Sequence, residues 1–162
     1  MPFGTWPSSL RSCWLVFVLI VAPGGASAIA APSAAIEGTA VAKDGDDVVV
    51  NGIDIRLQGI AAPEDNGAKR ELGGPESTAS LHAIVDGKIL RCEPDGTTAR
   101  GRPVAVCFLG GRDVGKLQVL AGHARDCPRY SHGRYSAAES EARAGGRDLS
   151  AIYPLPRYCF DR

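Results

Sequence analysis

The dipeptide Asn51-Gly52 separates an apolar β-branched run, Asp47 to Val50, from an alternating run, Ile53 to Gly59. Asn-Gly accepts the left-handed backbone that a two-residue hairpin turn requires, so the chain is committed to two antiparallel strands here. In the second arm Ile53, Ile55 and Leu57 share one face, and Asp54, Arg56 and Gln58 share the other. Arg56 is therefore expected on the side away from the core.

The remaining elements follow from local signals. Gly38 to Lys43 reads as a first short strand, and Ala61 to Gly73 as a loop. Gly74-Pro75-Glu76 starts a helix, with proline and an acid suited to its first turn. Leu81, Ile84 and Val85 form the helix's apolar stripe, and Gly87 ends it. A fourth strand, Ile89 to Glu93, is followed by a turn at Pro94-Asp95-Gly96 and a fifth strand, Val104 to Leu109. Asp113 caps a second helix facing the core with Val114, Leu117, Leu120 and Ala121, and Gly122 stops it. Ser136 to Glu139 has the form of a capping box for a third helix ending at Gly145-Gly146. The tail, Ala151 to Arg162, is expected to be pinned by Cys159 rather than by regular structure. Five short antiparallel strands with an inserted helix and about three helices in all give an α+β fold, a five-stranded Greek-key β-barrel of the OB type. Such barrels bind oligonucleotides on one face.

The first residues are set apart from that domain. One basic residue, Arg11, precedes a ten-residue apolar run, Cys13 to Ala22, and then Ala26-Ser27-Ala28. This is the pattern of a secretory signal peptide over residues 1–28, and the run is short of the roughly 20 residues of a membrane helix. Residues 29–35 read as a flexible lead-in and 36–162 as the domain. A secreted or periplasmic protein, without a stable membrane anchor after signal cleavage and acting as a monomer, is expected. The 162-residue chain carries 18 basic and 18 acidic residues, so no overall charge draws it to nucleic acid; phosphate affinity has to be local.

Of five cysteines, Cys13 lies in the signal. Cys92 and Cys107 flank one turn in neighbouring strands, which suits a disulfide, and Cys127 would then pair with Cys159. The rival reading is a zinc site of His123, Cys127, His132 and Cys159, whose spacing is not a usual zinc pattern. His82, His123 and His132 are read as surface or capping residues. The loop Arg125 to Arg134 adds Tyr130, which could stack a base, against a simpler reading as a solvated, disulfide-held loop.

Several motifs in order resemble the staphylococcal-nuclease-like (thermonuclease) family. Asp44-Gly45-Asp46 resembles its D-G-D-T turn, and Ile55-Arg56-Leu57 through Pro63-Glu64 its I-R-L-x-G-I-D-A-P-E segment. Gly74-Pro75-Glu76 resembles its G-P-E helix start and Arg100-Gly101-Arg102 its Y-G-R. Gly122-His123-Ala124 and Tyr135 to Arg143 resemble its later G-x-A and R-Y-x-x-A-E-x-E-A-R stretches. The match spans about Gly38 to Gly146.

The resemblance implies a metal-dependent endonuclease, a calcium-using phosphodiesterase that hydrolyses DNA and RNA on an OB barrel. Arg56 and Arg102 would clamp the phosphate, and Glu64 would be the general base. Asp46 and the backbone carbonyl of Ala62 would be calcium ligands, with Asp44 as a nearby acid behind them. The chemistry is coherent: arginine forks match phosphate oxygens, a hard dication neutralises developing charge, and a carboxylate takes a proton from water. Two departures stand out. Ala61 replaces an aspartate that is a direct calcium ligand in the family, so calcium binding should be weak. Asp47 replaces the threonine of D-G-D-T and is a further candidate ligand. Besides the nuclease, two readings follow: a barrel that binds nucleic acid or a nucleotide without cutting it, and a structural or partner-binding barrel.

Overall fold

The computed structural model describes residues 34–160. The expected signal peptide and most of the lead-in lie outside the described residues. Five strands form the barrel wall: β1 (Ile36–Asp44), β2 (Asp47–Val50), β3 (Ile53–Leu57), β5 (Ile89–Ala99) and β6 (Arg102–Leu109). Short strands β4 (Ile60–Ala61), β7 (Arg112–Asp113) and β8 (Arg125–Asp126) lie at its margins. The hydrogen-bonded order is β3-β2-β1-β5-β6-β7, and a further β3–β6 pairing closes the wall. The expected α+β OB-type barrel is present.

The seam that closes the barrel is parallel, with Arg56 beside Val104 and Leu57 beside Ala105. An all-antiparallel sheet was expected. A closed barrel of five strands cannot alternate direction all the way round, so at least one neighbouring pair must be parallel, and that pair is β3–β6.

Asn51 and Gly52 both have positive φ, and Val50 pairs with Ile53 across the turn, as the sequence predicts. The β5–β6 hairpin differs. Its turn is Arg100-Gly101, with φ of 52° and 81°, and β5 runs on to Ala99. Pro94-Asp95-Gly96 sits inside β5, where the register shifts between Pro94 and Thr98. Proline lacks a ladder donor, and the segment bulges from the sheet instead of ending the strand.

Four helices cover the barrel, three of them of seven residues or more: α1 (Gly74–Val85), α2 (Val114–Leu120), the single-turn α3 (Pro128–Ser131) and α4 (Ser136–Ala144). The α3 turn falls in the segment expected to be a loop. In α1, Leu81 and Val85 are buried, and Ile84 packs at the edge of the core. Asp113 caps α2 as expected, its Oδ1 accepting from the Lys116 amide at 3.1 Å. The buried face of α2 is Val114, Gly115, Gln118 and Val119 rather than one centred on Leu117 and Leu120. At α4 the N-cap is Tyr135, with no side-chain cap. Ser136 is already helical, and Glu139 pairs with Arg125 at 2.8 Å instead of closing a capping box.

Val48, Val50, Ile55, Leu57, Leu81, Val85 and Leu90 fill the barrel interior, with the Cys92–Cys107 disulfide joining directly opposed residues of β5 and β6. A second, smaller cluster gathers Ala61, Leu149, Tyr153 and the Cys127–Cys159 disulfide beneath the tail. Both expected disulfides are present. With its two sulfurs joined to each other, Cys127–Cys159 leaves no thiolates for the alternative zinc site. Two disulfides are compatible with an oxidising compartment. Among the described residues no helix is long and apolar enough to cross a membrane.

Candidate functional site

The β1–β2 turn, the end of β3 and the start of β6 meet at one mouth of the barrel. Register explains which side chains gather there. Asp47 is directly opposite Arg56 across β2–β3 and pairs with Asp44 across the turn. Arg102 lies two residues before Val104, the parallel neighbour of Arg56. Residues two apart point to the same side of a strand, so Arg102 and Arg56 share a face.

These groups form an alternating chain of charge. Arg56 Nη1 donates to Asp46 Oδ1 and lies 4.0 Å from Asp47 Oδ1. Arg102 Nη1 donates to Asp47 Oδ2. Asp46 Oδ2 accepts from the Ala62 amide at 2.9 Å. The Ala62 backbone thus meets Asp46 through its N–H. Asp44 sits just behind, its Oδ1 accepting from the Gly45 amide at 2.7 Å.

The turn that carries these acids is held from below by a polar contact inside the core. Gln118 is fully buried on α2, and its Nε2 donates to the carbonyls of Gly45 at 3.2 Å and Ser77 at 2.8 Å. Its Oε1 accepts from Ser80 Oγ at 2.8 Å. With both ends satisfied the amide can be buried at little cost. The sequence reading of this helix named only its apolar residues; Gln118, one turn after Val114, shares the buried face.

Burial shifts the titration of the acids. Asp46 is only 3% exposed, and desolvation outweighs the attraction of Arg56, so its pKa rises to about 7. Asp47 is also raised, again chiefly by burial. Glu64 follows β4 and keeps a partly exposed carboxylate, with Oε2 accepting from Asn66 Nδ2 at 2.8 Å. Its pKa is raised by burial first and then by the neighbouring Asp44. A carboxylate raised in this way is a better base near neutral pH than an ordinary one.

Two adjoining clefts share Glu64, Arg100 and Arg102. The larger, about 250 Å³, also has Arg56, Tyr130 and Tyr158 on its walls. The smaller, about 190 Å³, adds Lys43, Asp44 and Asp47. The predicted Arg56, Glu64 and Arg102 therefore line one cleft, and the predicted acids adjoin it. Arg100 and Tyr158 line the larger cleft without being among the expected site residues. Arg100 reaches the cleft because the hairpin turn is at 100–101. Tyr158 comes from the C-terminal tail, where the adjacent Cys159 was the available signal. The histidines lie elsewhere: His82 pairs with Asp86 at 2.7 Å on α1, and His123 and His132 line neither cleft.

Among the described residues no three His, Cys, Asp or Glu side chains converge tightly enough to form a ready metal cage. The donors that do gather are all oxygens, Asp46 and Asp47 foremost, with Asp44 behind. Asp47 Oδ1 is buried without a hydrogen-bond partner. A buried acceptor that lacks a donor, beside a second buried carboxylate, suits a hard oxygen-seeking dication. Ala61 contributes nothing to this set: its side chain is buried in the tail cluster with Tyr153 and the Cys127–Cys159 disulfide.

Compared with protein-family models and with curated proteins, the chain matches none.

Proposed function

We propose that the protein is an exported phosphodiesterase that hydrolyses single phosphodiester linkages of DNA or RNA, as its resemblance to the staphylococcal-nuclease-like family implies. The observation that carries this reading is the presence of Arg56, Arg102 and Glu64 around one cleft. Two guanidinium groups from adjacent strands offer donor forks to the non-bridging oxygens of a phosphate. As water attacks phosphorus, Glu64 accepts its proton, the bond to the leaving oxygen breaks, and the arginines meet the charge that builds on the equatorial oxygens. Asp46 and Asp47 would hold calcium, with Asp44 behind them; such an ion supplies charge neutralisation and polarises water. Phosphate must compete with Asp46 and Asp47 for the two arginines, because both are already ion-paired. Export to a secreted or periplasmic location accords with the two disulfides.

Ala61 favours a second reading, a barrel that binds a nucleotide or nucleic acid without cutting it. Its methyl group stands where the family has a ligating carboxylate, and the tail packs over it. A gel assay with denatured DNA and excess calcium separates the two. The nuclease reading expects cleavage that Glu64→Gln lowers at least a hundredfold, in line with the loss of a general base. Binding without cleavage, with Glu64→Gln equal to wild type, would establish the second reading.

A further inference from the structure

The lining of the larger cleft is mixed: Arg56, Arg100 and Arg102 provide positive charge, and Val104, the parallel neighbour of Arg56, provides apolar wall. Two tyrosines complete that wall. Tyr130 sits on α3, while Tyr158 belongs to the last 3₁₀ turn, Arg157–Cys159. Both residues line the cleft and are nearly half exposed, at 44% and 47%. The Tyr158 phenol also approaches the Arg56 guanidinium. Arg129 stacks over Tyr130 at 5.4 Å, which steadies that ring from one side.

Tyr158 owes its place to its neighbour. Cys159 is fully buried and bonded to Cys127, which itself lines the cleft and is the N-cap of α3. One covalent bond therefore fixes the segment carrying Tyr158 to the segment carrying Tyr130. The shape calls for a ligand with a flat apolar part joined to an anionic part. At about 250 Å³ the cleft falls just below the usual range of ligand pockets, roughly 300–1,000 Å³, a size for a small ligand.

Building on the phosphate-binding reading above, we propose that Tyr158 is a substrate-positioning residue, a tail-borne wall against which one unpaired nucleobase packs, held in place by the Cys127–Cys159 disulfide. Aromatic contact of this kind is tolerant of base identity, since every base offers a π face. The arginines select the phosphate, and Tyr158 selects for an attached base.

The test measures calorimetric binding of two probes, inorganic pyrophosphate and a nucleoside 3′,5′-bisphosphate, in calcium buffer. Wild type is expected to bind the nucleoside bisphosphate at least tenfold more tightly than pyrophosphate. Tyr158→Leu should remove most of that difference, about tenfold, and leave pyrophosphate binding within twofold. Tyr158→Phe keeps the ring and should stay within threefold of wild type for both probes. The double variant Cys127→Ala with Cys159→Ala should behave like Tyr158→Leu, with circular dichroism confirming its fold; should it not fold, the two Tyr158 variants decide. Wild-type preference for the nucleoside probe that survives in Tyr158→Leu overturns the inference and leaves phosphate binding intact. Equal loss of both probes in Tyr158→Leu makes Tyr158 merely structural and also overturns it. Failure of wild type to bind either probe overturns the phosphate reading itself.

Discussion

Ala61 is completely buried, and its neighbours are Leu149, Tyr153, Cys127 and Cys159. A carboxylate there would be taken from water into a largely apolar cluster. Ala61→Asp should therefore cost about 3 kcal/mol or more of stability and gain no calcium affinity. Denaturant unfolding with and without calcium checks this; a calcium-dependent recovery of the midpoint would mean that the new side chain turns to the cleft. Asp46 makes a second prediction. Its folded pKa of about 7 lies above the ordinary 3.8, so between those values the folded state holds more protons than the unfolded state. Its contribution to stability consequently falls as pH rises from about 4 to 7, by roughly 2–4 kcal/mol. In chelator-containing buffer, Asp46→Asn should lose that downward slope while wild type keeps it; parallel stability–pH curves would contradict the assignment. At this scale the sequence was informative where alternation alone decides the answer, as for Arg56. It was silent on the Asp44–Glu64 approach, which depends on where a loop after β4 comes to rest beside the β1–β2 turn.

Turns and strand ends decide which of these side chains can meet. The Asn51-Gly52 hairpin was legible because one dipeptide demanded one backbone conformation. The β5–β6 turn was not, because Pro94-Asp95-Gly96 is the stronger local signal and Arg100 has a left-handed φ of 52° that a non-glycine residue rarely adopts. That displacement matters for function, since it brings Arg100 to the tip and Arg102 to the first position of β6. The start of α1 is equally tied to the site. Gly74 lies so close to the Glu64 carbonyl that a Cβ on it would overlap the oxygen. The same carbonyl accepts from the Glu71 amide at 2.8 Å. Gly74→Ala is expected to cost about 1–3 kcal/mol and to weaken binding of the nucleoside bisphosphate by displacing the Glu64 loop. Thermal unfolding and calorimetry read the two effects.

Across the described domain, the barrel interior and the tail cluster are separate apolar groups. Cysteine counting anticipated both disulfides, and hence that the tail is anchored. It did not anticipate what the anchored tail would cover, because that depends on the shape of the barrel mouth. The parallel β3–β6 seam has a further consequence, for the order of events when the chain folds. Asp47 and Arg102, 55 positions apart, can meet only once that seam has formed. The β1–β2–β3 meander needs only short loops and can zip early, whereas closing the seam has to bring distant chain together against its entropy. During refolding with the disulfides intact, far-ultraviolet dichroism should recover first and nucleotide binding last, monitored by stopped flow. Simultaneous recovery would show that the seam forms with the first hairpin. The clamp at the mouth would then be the final piece assembled, and any chain that binds a nucleotide would already have closed its barrel.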